Sequence, residues 1–166
     1  MSELNFKKAL MFAEEKHEGQ FRIGGEKYIT HPAAVAEIVA EWGYGIEYQV
    51  TALFHDLLED TDARECEILA LSNENVLNAV KLLTKSKPCN MADYVAKIRK
   101  NRIAFVVKTA DRLHNLRSAF CTDEDFKKQY ILESLKYYAD FSPEIKKAAA
   151  ELAQSMDKPV EVNNEE

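Results

Sequence analysis

Residues 50–62 read VTALFHDLLEDTD. In this run Val50, Leu53, Phe54, Leu57 and Leu58 favour burial, while His55, Asp56, Glu59 and Asp60 resist it. A buried charge has to be paired or bind a metal. On one continuous helix Glu59 follows His55 by four residues and Asp56 by three, and Asp60 follows Asp56 by four, so the four polar groups crowd one end of a single face. That arrangement suits a metal ion with carboxylates beside it. It is also the pattern of a surface charge cluster, the ordinary fate of Asp and Glu, and the stretch alone leaves both readings open.

The rest of the chain defines the setting of that helix. Its 166 residues suit one domain, close to the common size of roughly 100 to 150 residues. We assign residues 1–156 to it and residues 157–166, ending VEVNNEE, to a disordered acidic tail. A composition of 46% hydrophobic and 30% charged residues with only 5 Gly and 4 Pro is that of a soluble helical protein. No apolar run approaches the roughly 20 residues of a membrane span, and MSELNFKK has no apolar signal region, so a cytoplasmic protein without a membrane partner is expected. Cys66, Cys89 and Cys121 stand far apart, which indicates neither a disulfide framework nor a zinc ribbon. A net charge of −6 argues against nucleic acid as a partner. A small anionic ligand would need cations concentrated locally.

Periodic apolar positions place helices along the whole chain. Phe6, Ala9, Leu10 and Ala13 mark the first, ended by Gly19. Residues 17–32, HEGQFRIGGEKYITHP, read as a loop that sets His31 just before a helix with Pro32 at its first position. Further helices are expected from Glu47 through Leu58, with Thr61-Asp62 capping a new start, then over 65–71, 76–84 and, capped by Asn90, to about Asn101. Residues 102–117, RIAFVVKTADRLHNLR, begin with β-branched residues, yet a lone strand would have no partner, so they read as a buried helix. Thr122 caps a long Tyr-rich helix, and Ser142-Pro143 starts a last one. The fold class is all-α, a compact multi-helix architecture.

His31, the His55-Asp56 pair and Asp111 come from three separate elements, each at the edge of an apolar surface. Two imidazoles with two carboxylates suit a divalent transition ion such as Mn, Fe, Co or Zn, with positions left for water and substrate. Plainer roles stand beside this one: a cap or a satisfied histidine for His31, and an ion pair with Lys108, Arg112 or His114 for Asp111.

In this order YITHP, LFHDLLEDTD and VKTADRLHNLR resemble the HD-domain metal-dependent phosphohydrolases. More narrowly, HEGQFR, EKYITHP, HDLLEDTD and KTADRLHNLRS resemble the hydrolase domain of RelA/SpoT-type enzymes and its stand-alone form, the small alarmone hydrolases, over about residues 5–140. The resemblance implies an all-helical HD-domain fold and manganese-dependent removal of the 3′-pyrophosphate from the guanine nucleotide alarmones guanosine tetra- and pentaphosphate. It implies His31, His55, Asp56 and Asp111 as metal ligands and Glu59 and Asp60 as catalytic carboxylates. It also implies that Arg22 packs on the guanine and that Asn115 and Ser118 contact the nucleotide, Thr being frequent at the Ser118 position. His17 and His114 match as supporting residues. Ile23 departs from the pattern, which has Lys there, so another nucleotide such as NADPH or a deoxynucleotide, and a non-catalytic nucleotide-sensing module, stand as alternatives.

Overall fold

The computed structural model describes residues 3–158 and 160, and most of the predicted tail, residues 157–166, lies outside them. Among the described residues the regular structure is helical: α1 (Phe6–Lys16), α2 (Thr30–Glu41), α3 (Ile46–Phe54), α4 (Leu57–Asp60), α5 (Glu65–Leu71), α6 (Glu74–Leu83), α7 (Met91–Arg99), α8 (Arg102–Ser118), a 3-10 turn (Ala119–Cys121), α9 (Glu124–Tyr137) and α10 (Pro143–Gln154). The one strand-like pairing among them is an isolated bridge between Phe21 and Lys27. No helix among the described residues is long and apolar enough to cross a membrane. The all-α expectation holds. Contacts group the chain into two units, Met1–Asp111 and Arg112–Glu166, so the division falls inside α8.

The first unit is built around α3, which touches α1, α2 and α6. Val50, Thr51, Ala52, Leu53 and Phe54 are all buried in succession. A stretch of helix buried on every side needs apolar residues on every side, and the one polar residue of this run, Thr51, donates its hydroxyl to the Glu47 carbonyl at 2.7 Å. Phe12 of α1 meets Phe54 edge-on, with ring centroids 5.8 Å apart. Between α2 and α3 the chain turns at Gly43, where φ is +86°. Gly43 N–H donates to Ala40 O and Tyr44 N–H to Val39 O, a pair of bonds that closes the end of α2 and requires the left-handed conformation glycine adopts without strain.

Local chemistry accounts for most helix ends. Asn73 and Asn90 cap α6 and α7 through their side chains. Asn101 accepts from Ala104 N–H at 2.9 Å, which starts α8 as a helix in spite of its β-branched opening. Ser142 caps α10, with Pro143 at its first position as expected.

Several boundaries differ from the expected ones. The helix expected over 47–58 is two helices, with His55 and Asp56 in the break between them. The cap placed at Thr61-Asp62 belongs to Arg64; Thr61 instead turns its hydroxyl back to Leu57 O at 2.6 Å, closing α4. Asp123, one residue after Thr122, accepts from Phe126 N–H and caps α9, because Thr122 spends its hydroxyl on Ala119 O.

In the second unit α9 packs on α10, with Ile131, Tyr138, Ile145 and Leu152 fully buried. Arg112 is buried there between the Tyr130 and Tyr138 rings, 4.3 and 4.2 Å from their centroids. It also donates to Glu133 Oε1 at 2.8 Å. Aromatic faces and a carboxylate together make a buried guanidinium tolerable.

Candidate metal centre

Three segments of the first unit deliver polar side chains to one buried place. His31 is the second residue of α2, which begins at Thr30, two residues before the expected Pro32 start. Pro32 fits the third position because its missing N–H is one that the first turn leaves unbonded in any case. His55 and Asp56 occupy the break after α3. Asp111 stands on α8, three residues after Lys108, and its Oδ2 takes the ammonium of that lysine at 2.8 Å.

The break is what aims the His-Asp pair. His55 Nδ1 is 2.6 Å from the Ala52 carbonyl, an acceptor only, so Nδ1 carries hydrogen and Nε2 is turned toward the carboxylates. Nε2 lies 3.0 Å from Asp56 Oδ2 and 3.4 Å from Asp111 Oδ1. His31 Nε2 lies 2.9 Å from the same Asp111 oxygen and 4.0 Å from Asp56 Oδ2. The same Asp56 oxygen accepts from the Tyr28 hydroxyl at 2.6 Å.

Burial and charge compete in every titration here. Burial disfavours a charge on His55, yet the carboxylates of Asp56 and Asp111 outweigh it and raise the imidazole well above its ordinary value. For His31 burial prevails and lowers the pKa in spite of the Asp111 contact. Burial alone would raise both aspartates. Asp56 is instead held below the usual carboxylate range, first by the His55 charge, and Asp111 well below it, first by Lys108. Burial, reinforced by the charge of Asp56, pushes the Tyr28 phenol far above its ordinary value, so Tyr28 remains the donor.

His55 Nε2 is buried and, close as the carboxylates are, makes no hydrogen bond. The ligand atoms of His31, His55 and Asp111 all lie within 4.8 Å of one another, and the three residues are buried. Two imidazoles and a carboxylate around an orphaned buried nitrogen, with Asp56 alongside, fit a divalent cation. A bound cation would satisfy Nε2 and replace the proton that His55 otherwise carries.

Glu59 and Asp60 lie on α4, directly after the break. Glu59 Oε1 accepts from the Lys85 backbone N–H at 2.7 Å. Desolvation and then the charges of Asp56 and Glu59 push Asp60 up to about 6. Arg22 lies in the loop between α1 and α2, with Ile23 beside it 70% exposed. Asn115 and Ser118 belong to α8 beyond Asp111, in the second unit, where Ser118 donates its hydroxyl to His114 O at 2.6 Å. The structure thus gathers His31, His55, Asp56 and Asp111, and Lys108 proves to be a cation paired with Asp111 as well. Sequence reasoning passed over Tyr28 and Gln20. Their signal was slight: an aromatic residue three before His31 and an amide three after His17, both types that are common in ordinary loops.

The model of the family described as "HD domain" matches residues 9–143. Among curated proteins, the chain is 34% identical over 143 residues to the guanosine-3′,5′-bis(diphosphate) 3′-pyrophosphohydrolase of Spiroplasma citri, covering 80% of this chain and 19% of that protein. To the bifunctional (p)ppGpp synthase/hydrolase SpoT of Escherichia coli (strain K12) it is 34% identical over 144 residues, covering 80% and 20%. A pyrophosphohydrolase of the same name from Aquifex aeolicus is 36% identical over 140 residues, again covering 80% and 20%. The chain therefore spans about a fifth of the length of these relatives. Among solved structures, a metazoan ortholog of SpoT that hydrolyses ppGpp superposes with a TM-score of 0.73 at 22% identity, covering 93% of this chain and 96% of that one. The lmo0812 protein of Listeria monocytogenes EGD-e gives 0.59 at 24% identity, covering 81% and 98%. At those identities the two structures speak for the fold.

Proposed function

The chain belongs to the HD domain family, and from that premise we propose that it is a metal-dependent phosphohydrolase that removes the 3′-pyrophosphate from guanosine tetra- or pentaphosphate, with manganese as its metal and the cytoplasm as its location. The observation that carries the proposal is the buried triangle of His31, His55 and Asp111 with its orphaned nitrogen, next to two carboxylates on α4. The similarity to three pyrophosphohydrolases or SpoT proteins at 34–36% identity supports the choice of substrate.

His31, His55, Asp56 and Asp111 would hold a divalent cation, which when bound would supply a water of lowered pKa and polarise a phosphoryl oxygen. Tyr28 and Lys108 hold the two aspartates in their ligating orientation. Glu59, steadied by the Lys85 N–H, orients the attacking water and takes its proton. Asp60, whose carboxyl burial and the charges of Asp56 and Glu59 push up to about 6 in the metal-free chain, would pass a proton to or from the reacting groups. Arg22, Asn115 and Ser118 are proposed to contact the nucleotide.

Ile23 favours keeping a second substrate class under test, since an exposed isoleucine offers no cation to a phosphate. Manganese-loaded protein is incubated in parallel with guanosine tetraphosphate, NADPH and deoxynucleoside triphosphates, and products are resolved by anion exchange. Pyrophosphate with GDP is the expected result. Phosphate from NADPH alone would replace the substrate, and no turnover of any nucleotide by metal-loaded protein would refute the enzyme reading. Glu59→Gln keeps the Lys85 bond but not the base, so it is expected to retain manganese and lose about a hundredfold or more in kcat; full activity in this variant would remove Glu59 from its role.

A further inference from the structure

α4 is four residues long, too short to hold its own position, because an isolated helical turn is unstable in water. What fixes it must come from outside, and the carbonyls at its end need partners. Thr61 serves Leu57 O. Asp60 O is served from α1's side of the unit, by Gln20 Nε2 at 2.8 Å.

That bond determines the chemistry behind it. A backbone carbonyl only accepts, so the NH2 group of Gln20 faces Asp60 and its Oε1 faces the other way, toward His17 Nδ1 at 2.8 Å. Oε1 also only accepts, so Nδ1 carries the hydrogen. His17 is 2% exposed and closes α1, donating its N–H to Ala13 O at 3.0 Å, so its ring sits at the end of an eleven-residue helix. The same ring packs on Tyr28, with centroids 4.8 Å apart, and Tyr28 holds Asp56. One imidazole therefore reaches both ends of α4: Asp56 at its start through Tyr28, and Asp60 at its end through Gln20.

We infer that His17 and Gln20 are positioning residues, a clamp that sets where the α4 carboxylates stand; the catalytic meaning of this rests on the hydrolase reading above. His17 is not among the candidate metal ligands. It acts through the hydrogen on Nδ1 and through its tilted ring contact with Tyr28.

The test uses the full manganese-loaded chain with His17→Leu, His17→Asn, Gln20→Ala and the Leu/Ala double variant. Asparagine places an N–H near the position of Nδ1, and leucine fills space without donating. Amide exchange at Asp60 and Thr61, whose N–H groups bond to Asp56 O and Leu57 O in the wild type, is followed together with kcat and KM for guanosine tetraphosphate and with manganese affinity by calorimetry. His17→Leu and Gln20→Ala are expected to exchange faster at these amides and to lose roughly ten- to a hundredfold in kcat, with KM nearly unchanged and, in Gln20→Ala, which leaves the His17–Tyr28 contact in place, manganese affinity unchanged as well. The double variant is expected to be no worse than either single, and His17→Asn to stay near wild type. Wild-type exchange and kcat in both single variants, or an Asn variant as impaired as the Leu variant, would overturn the clamp. Should His17→Leu not fold, Gln20→Ala, in a half-buried loop position, carries the same comparison. A wild-type chain that turns over no nucleotide would refute the hydrolase reading instead, and exchange alone would then judge the clamp: unchanged rates overturn it, faster rates uphold it.

Discussion

Asp56 is a carboxylate that burial alone would drive toward its neutral form and that three neighbours keep ionised or oriented: His55, His31 and Tyr28. Of these, only Tyr28 holds it without being a ligand candidate. Tyr28→Phe removes one hydroxyl and little volume, and the loss of such an outer hydrogen bond is expected to weaken manganese binding by about tenfold, as read by calorimetry with the helical circular dichroism unchanged. Wild-type affinity in that variant would leave Tyr28 a packing residue. At this scale the ionisable residues of the site stood out in the sequence, because an Asp or His in an apolar run is conspicuous. Tyr28 did not, since a tyrosine near a helix start is ordinary core material and only the fold shows where its hydroxyl goes. For Asp111 the plainer reading and the metal reading coexist: Lys108 pairs with Oδ2 while Oδ1 faces the two imidazoles.

α4 and its N-cap concentrate Asp56, Glu59 and Asp60 within five residues, and the short helix bears the consequence. Asp60 is raised from 3.8 to about 6, so between those values the folded metal-free chain binds more protons at this site than the unfolded chain does. Stability from this residue is therefore lost as pH rises through about 6 and regained as pH falls toward 3.8. Asp60→Asn removes the penalty: its metal-free Tm is expected to exceed that of wild type at pH 8, with the difference closing by about pH 4. A constant offset across that range would contradict the assignment. The helices themselves were legible in the periodicity, down to the asparagine and serine caps of α6, α7 and α10. The break between α3 and α4 was not, because apolar residues continue at helical spacing straight through it. At the break the His55 ring bonds back to the Ala52 carbonyl three residues earlier, a local side-chain contact with no signature in a periodic pattern.

Across the molecule, the candidate ligands join the start of α2, the end of α3 and the middle of α8, elements that contribute to the first unit from widely separated parts of the chain. A cation bound there stabilises the fold by mass action, about 4 kcal/mol at a thousandfold excess over its Kd, which for a chain of this size corresponds to roughly 10 °C in Tm. Scans with manganese and with EDTA are expected to differ by that order, and equal melting temperatures would show that no ion is held. The grouping of contacts into two units was not legible, since α8 runs through the boundary with an unbroken helical pattern and nothing in its composition marks Asp111 as the last residue of one unit. The His31 to Asp111 pairing has a kinetic consequence as well. It joins residues 80 positions apart, so the two halves of the site meet only when a long loop has closed. A divalent cation bound there would therefore act after the folding barrier: it is expected to leave the refolding limb of a chevron plot where it was and to lower the unfolding limb, so that the ion would govern how long the native state lasts rather than how quickly it is reached.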